Sequence, residues 1–180
     1  ACFTITDEYE ITTDYLINPN IASRYHNYRT SNHTKLLLGP SFMVFRNEFR
    51  SLSSTPKEIV PPLHVLLMFG GADHANLTVY FLDVLKDLSP LVKKITLVTS
   101  SLNQSISEIR KKVQKNYAVE VDLKIDIDDI VSVYKSVDFA ISSAGMGMWE
   151  MGILGVPQLI VSSSEREKKY VNHLEEEAFI

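Results

Sequence analysis

The chain has 180 residues, a formal net charge of −4 and 45% hydrophobic residues, enough for one domain with a sizeable core plus part of another. The acidic balance argues against a nucleic-acid partner, which would need a basic patch, although backbone amides can still bind a small anion. The single cysteine excludes an intrachain disulfide and a cysteine-based zinc site, and no apolar run approaches the ~20 residues that span a bilayer. We therefore expect a cytoplasmic protein with no membrane span, no metal site and no cofactor.

Residues 1–54 are polar and rich in Asn and Thr. Their two short apolar runs, Tyr15–Asn18 and Lys35–Gly39, are bounded by turn residues and are predicted to be buried strands. Ser, Thr and Pro become frequent around residues 55–62, which we predict to be an interdomain linker. The start, Ala1–Thr4, has neither an initiator Met nor the pattern of a signal peptide. We expect a chain that begins part-way through a longer protein.

Residues 63–180 alternate apolar runs with amphipathic segments. The apolar runs predict strands at His64–Phe69, Ile95–Thr99, Val137–Ser142 and Pro157–Val161, and alternating apolar and charged residues predict a strand with one wetter face at Val119–Ile125. The amphipathic segments predict helices at Asn76–Leu88, Ser105–Asn116, Ile127–Lys135, Met148–Leu154 and Glu165–Glu177. Near-continuous apolar strands indicate burial on both faces, so the pattern predicts an α/β fold with a doubly wound parallel sheet, Rossmann-like. Such sheets bind ligands beyond the carboxyl ends of the strands, where the strand order reverses.

The first candidate loop follows the first of these strands. Gly70 and Gly71 allow a sharp turn and a close approach to a ligand. Asn76 can cap the following helix, and Asp73 and His74 stand at the mouth of the loop. The alternative interpretation is a tight turn with a cap and two exposed polar residues.

The second candidate loop is more specific. Small residues, among them Ser143, Gly145 and Gly147, follow a buried strand and lead into a helix N-terminus, where backbone amides and the helix dipole attract an anion. Glu150 is expected in the first turn, where a carboxylate can accept hydrogen bonds from two ribose hydroxyls; alternatively, it only complements the helix dipole. A dinucleotide fingerprint would need a third glycine, so we do not expect an NAD site.

Three ordered motifs carry a family resemblance. They are Leu38–Phe49, similar to LLGPxYxxLRxEF; Phe69–Thr78, similar to FGGxDxxNLT; and Ile141–Pro157, similar to ISxxGxTxWExxxLGxP. In order and spacing the chain resembles, from about Asp14 to Val161, the UDP-sugar hydrolase family of pseudaminic acid synthesis and its spore-coat polysaccharide relatives.

The resemblance implies a two-domain glycosyltransferase-B architecture. Residues 1–54 would be the C-terminal remnant of the N-terminal domain, and residues 63–180 the domain that binds the nucleotide sugar. It also implies a UDP-sugar partner and a set of binding residues. The sugar and phosphate would be bordered by Gly70, Gly71 and Asp73. The diphosphate would lie near Ser143, Gly145, Met146 and Gly147. The ribose would be bound by Glu150, and the sugar would be contacted by Asn172.

The chain also departs from the family pattern. The family's Gly-rich loop with a His has no counterpart here, so the catalytic residues stay unknown. Met146 and Met148 replace small and hydroxyl residues of the phosphate loop. We therefore expect a UDP-sugar hydrolase-like domain of bacterial surface-glycan synthesis that is incomplete for catalysis. The alternatives are the donor-binding domain of a glycosyltransferase and a non-catalytic nucleotide-sugar-binding module; the sugar and the oligomeric state are left open.

Overall fold

The computed structural model describes residues 1–4 and 7–176. They divide into two compact units. The first unit comprises Ala1–Arg46 and the chain from Lys168 onward, and the second comprises Asn47–Glu167. Among the described residues, no helix is long and apolar enough to cross a membrane.

The first unit contains short parallel strands. They are β1 (Cys2–Phe3), β2 (Glu10–Ile11), β3 (Tyr15–Asn18), β4 (Arg29–Thr30) and β5 (Lys35–Leu38). The two apolar runs predicted to be strands are β3 and β5, and they lie side by side in a sheet of order β1-β3-β5. A separate pair joins β2 to β4. Short 3-10 helices at Ile21–Tyr25 and Pro40–Phe42 complete the connections.

The second unit is built on a five-stranded sheet in which every pairing is parallel. Its strands are β6 (Leu63–Met68), β7 (Val92–Thr99), β8 (Glu120–Ile125), β9 (Phe139–Ser142) and β10 (Gln158–Ile160). Their order across the sheet is β10-β9-β6-β7-β8. All five strands predicted for this region are present, and the expected Rossmann-like α/β fold is confirmed.

The strands alternate with helices. These are α1 (Leu77–Leu85), α2 (Ile106–Val113), α3 (Ile130–Ser136), α4 (Met146–Ile153) and α5 (Glu165–Glu176), with a 3-10 helix at Asn47–Phe49. The helix predicted to begin at Met148 therefore begins two residues earlier. Gly145 and Gly147 make this start difficult to predict from the sequence, because glycine is a poor helix former. The predicted last residue of α5, Glu177, lies outside the described residues.

One apolar core lies between the sheet and the helices α1 and α2. Val65, Leu67 and Ile95 of the central strands are at most 1% exposed and belong to the same cluster as Leu82 of α1 and Ile109 of α2. This burial fixes the register of the central strands, because a shift of one residue would turn the apolar set to the other face. The carboxyl ends of β6 and β9 are thereby held at one level.

The polar groups at the opposite, amino-terminal edge of the sheet are paired within the protein. The buried ring of His64 lies 2.9 Å from the Ser136 carbonyl through Nδ1 and 2.8 Å from the Thr96 hydroxyl through Nε2. Burial lowers the pKa of His64, so the neutral imidazole is favoured. His64 is thus held by partners within the protein.

The segment predicted to be a linker contains no helix or strand, but hydrogen bonds of Lys57 hold it in place. The Lys57 ammonium donates to three carbonyl oxygens at the C-terminus of α3, those of Tyr134, Lys135 and Val137, at 3.2, 2.9 and 2.6 Å. The Lys57 amide also donates to the Gly155 carbonyl at 2.8 Å. A cation at a helix C-terminus satisfies carbonyls that have no partner within the helix. Lys57 therefore ties this segment to the second unit.

Candidate functional site

The site lies where the direction of the crossovers reverses. The connections after β6 and β7 step across the sheet in one direction and those after β8 and β9 in the other, so β6 and β9 are neighbours at the switch point. The amide of Ser143 donates to the carbonyl of Met68 at 3.3 Å and joins the two strand ends. Open α/β sheets bind ligands at this position, and both loops predicted from the sequence start here.

In the first loop, Asp73 caps α1. Its side chain is buried, and its two carboxylate oxygens accept from the amides of Leu77 and Thr78, each at 2.9 Å. The prediction that Asn76 caps this helix is wrong, because Asn76 adopts a left-handed conformation with φ 55° and its side chain makes no capping bond. The first-turn amides of Leu77 and Thr78 are therefore bound by the carboxylate of Asp73, the residue that the family resemblance places beside the sugar.

The two glycines of this loop differ in their surroundings. Gly70 has φ +73°, a conformation that favours glycine, and a Cβ at this position would meet no atom within 4 Å. Gly71 lies against Ser100, whose hydroxyl donates to the Gly71 carbonyl at 2.9 Å. Both glycines are exposed, and Gly71 is in addition held by the loop after β7.

In the second loop, the N-terminus of α4 carries no capping side chain. Gly145 is the N-cap residue with an extended backbone, φ −134°, and a Cβ placed there would meet nothing within 4 Å. Gly145 and Met146 are both exposed. Neither residues 69–76 nor residues 142–150 contain Lys or Arg. Backbone amides are thus the groups that these loops offer to an anion.

Gly147 lies inside the first turn of α4. A Cβ at this position would collide with the methyl group of Met68 and would lie 3.1 Å from the Tyr134 hydroxyl. The missing side chain therefore lets α4 approach β6 and α3 closely. This is a packing reason for the glycine, in addition to the exposure of the amides.

Glu150 is in the second turn of α4 and not in the first, because the helix begins at Met146. Its side chain is 4% exposed, and its Oε2 accepts a hydrogen bond from the Tyr134 hydroxyl at 3.3 Å. The interpretation that Glu150 complements the helix dipole weakens, because that effect is confined to the first turn.

Buried oxygens at this edge have hydrogen-bonding capacity to spare. Ser142 is fully buried at the end of β9, and its hydroxyl has no partner among the described residues; the same holds for Asn76 Oδ1 and Thr78 Oγ1 near the start of α1. Native proteins pair most buried polar atoms with protein or water.

Two other candidate residues from the sequence are exposed. Asn172 is exposed on α5, in the part of that helix that belongs to the first unit. His74 is exposed in the first loop. In the described part of the chain, no group of three or more His, Cys, Asp or Glu side chains could hold a metal ion.

Sequence reasoning missed Tyr134. It follows Ile130 by four residues on a predicted helix, which indicates an inward position but not the partner of its hydroxyl. That partner, Glu150, is brought to it by the packing of α3 beside α4. No local pattern in the sequence contains this contact.

The strand order and the flanking helices define a Rossmann-like α/β domain, in which α4 begins at the switch point without a capping side chain. The chain is similar to an uncharacterized protein of Methanocaldococcus jannaschii, with 26% identity over 167 residues. The match covers 87% of this chain and 34% of that protein, so the chain spans about a third of the length of its relative. No protein-family model matches the chain.

Proposed function

We propose that the second unit binds the diphosphate of a UDP-sugar at the N-terminus of α4. The observation that carries the proposal is the glycine N-cap, Gly145, which leaves the first turn of a helix at the switch point without a capping side chain. The three sequence motifs that resemble the UDP-sugar hydrolase family supply the identity of the nucleotide.

The physical basis is the charge at a helix N-terminus. Free amides and the helix dipole together act as about half a positive charge, so an anion is stabilised there without a cationic side chain. The chain matches this requirement because neither loop contains Lys or Arg. The small residues of the second loop also let the phosphates approach the backbone closely.

The proposed reaction is hydrolysis of the bond between the anomeric carbon and the diphosphate, which releases a free sugar and UDP. Negative charge grows on the departing diphosphate, and amides fixed at the helix end stabilise that charge. The residues of this site bind the nucleotide and stabilise the leaving group. The acid or base that activates water belongs to another part of the enzyme.

A non-catalytic binding module is the second candidate. It is favoured by the phosphate loop, in which Met146 and Met148 bring no hydroxyl group to the anion. Such a module would bind the same ligand and leave it intact. Transfer of the sugar to an acceptor instead of water would need the same nucleotide site, so the site itself does not favour transfer over hydrolysis.

The test is calorimetric titration of the protein with UDP and with UDP-N-acetylglucosamine. Both are expected to bind, and Glu150→Ala is expected to weaken binding about 10-fold or more, the loss for hydrogen bonds to a charged group. Glu108→Ala, an exposed glutamate on α2, is the matched control and should bind like the unmodified chain. Thermal unfolding of each variant checks that it is folded.

The result against the proposal would be no binding of either compound, or tighter binding of NAD or DNA than of UDP. Chromatography of the UDP-sugar after incubation then separates the two candidates. Free sugar and UDP would support the hydrolase, whereas an intact ligand together with firm binding would support the module.

A further inference from the structure

The helices α3 and α4 are in contact beneath the proposed nucleotide site. Tyr134 is 1% exposed and its hydroxyl lies 3.3 Å from Glu150 Oε2 and 3.5 Å from the sulfur of Met68. Tyr134 therefore faces the carboxylate from inside the protein and not from the solvent. Both residues are buried, so the contact is not screened by bulk water.

The hydroxyl has one proton, and both Glu150 Oε2 and the Met68 sulfur lie within hydrogen-bonding distance of it. A carboxylate oxygen is a much stronger acceptor than a thioether sulfur. The proton is therefore directed to Glu150, while Met68 contributes van der Waals contact. The result is a fixed orientation of the carboxylate relative to α3.

Tyr134 itself has little freedom to move. Its ring packs against Phe49 with the ring centres 6.2 Å apart and the planes tilted by 47°. On another side, a Cβ at Gly147 would lie 3.1 Å from the hydroxyl, so the first turn of α4 is in close contact with it. A donor held from both sides can act as a rigid reference for its acceptor.

We infer that Tyr134 is a positioning residue that orients Glu150 toward the vicinal hydroxyls of a ribose, so that the site selects ribonucleoside diphosphates over their dideoxy counterparts. This rests on the proposed function, in which the phosphates lie at the N-terminus of α4. Acidic side chains near such helix ends bind ribose hydroxyls in other α/β folds. The new element is the donor behind the carboxylate.

The test compares two ligands in two proteins. Tyr134→Phe removes the hydroxyl and keeps the ring that packs against Phe49, so the variant is expected to fold. Calorimetry should show that UDP binds about 3–10-fold more weakly to this variant, the range for one net hydrogen bond. The affinity for 2′,3′-dideoxyuridine diphosphate should not change. Tyr80→Phe, at an exposed position on α1, should leave both affinities unchanged.

Two outcomes would overturn the inference while the proposed function stands. The first is an equal loss of affinity for UDP and for the dideoxy compound, which a merely structural role would produce. The second is an unchanged affinity for UDP. If the unmodified chain fails to bind UDP, the proposed function and the inference both fall.

A second measurement does not depend on the single variant. In a Glu150→Gln background, the loss of UDP affinity caused by Tyr134→Phe should shrink to nothing, because the charged acceptor is already gone. A loss of the same size in both backgrounds would contradict a role through Glu150. If Tyr134→Phe alone does not fold, Glu150→Gln decides the question: it should lower affinity for UDP but not for the dideoxy compound, and equal effects would overturn the inference.

Discussion

Two helices, α1 and α4, begin at the carboxyl edge of the same sheet, and their first turns are satisfied differently. The first turn of α1 donates to both carboxylate oxygens of Asp73 at 2.9 Å. The first turn of α4 follows Gly145, which has no side chain to cap it. Because the free amides of a helix take either a capping group or an anion, the first turn of α1 is closed by its own loop, and we propose that the first turn of α4 takes a ligand.

A place at the switch point therefore does not by itself leave a helix N-terminus without a cap. Both loops contain glycines, both follow buried strands and both precede a helix. The two loops differ in that the first supplies a carboxylate, that of Asp73, to cap its helix, whereas the second supplies no capping side chain. In the first loop the charge comes from within the chain, and in the second loop we propose that it comes from the phosphates of a nucleotide.

The largest effect is expected when α4 is made to resemble α1. Gly145→Asp puts a carboxylate at the N-cap, where it accepts from the first-turn amides and repels a diphosphate. Affinity for UDP should fall about 100-fold, equivalent to about 2.7 kcal/mol, while the melting temperature stays the same or rises slightly. Calorimetry and thermal unfolding check the two parts.

Gly145→Ala is the matched control for that substitution. The position has room for a Cβ and a φ of −134° that any residue adopts. The alanine variant should keep most of its affinity for UDP and lose a little stability, because alanine is a poor N-cap. An equal loss of affinity in both variants would show that backbone change, and not the added charge, blocks the site.

A smaller effect, on stability, is expected when α1 is made to resemble α4. Asp73→Ala removes the acceptor of two buried amides and should lower the free energy of unfolding by about 2 kcal/mol. Urea denaturation measures this value. The exposed cap of α3, Asp129, accepts from the Ser132 amide at 3.0 Å, and Asp129→Ala should cost less.

The Asp73→Ala variant also tests whether Asp73 contacts the ligand. If Asp73 acts only within the protein, the folded variant should bind UDP as tightly as the unmodified chain. A large loss of UDP affinity without loss of stability would place Asp73 on the ligand, as the family resemblance implies. Asp73→Asn, which keeps the shape of the side chain, serves if the alanine variant does not fold.

The sequence predicts the sheet well because burial on both faces leaves a direct trace in composition. Four of the five strands of the second unit are short apolar runs, the strand at Val119–Ile125 alternates apolar and charged residues, and each of the five is found. The two loops at the switch point follow from the same pattern, since ligand sites in such sheets lie beyond the carboxyl ends of the strands. These features depend on local composition and topology alone.

The roles of individual residues at the site are predicted less well. The sequence predicts Asn76 as the cap of α1, but the turn after Gly70 and Gly71 brings Asp73 under the helix and leaves Asn76 left-handed. It predicts the start of α4 two residues late, because Gly147 is helical for a packing reason. The contact of Tyr134 with Glu150 joins residues 16 positions apart on two helices. Such features depend on tertiary packing and leave no local pattern.

The most direct measurement is a titration followed by amide NMR. A ¹⁵N-labelled protein is titrated with UDP and, separately, with uridine, which lacks the phosphates. The amide signals of Met146 and Gly147 should shift with UDP and not with uridine, while those of Leu77 and Thr78 stay in place. Shifts at Leu77 and Thr78 with no change at Met146 and Gly147 would contradict the account.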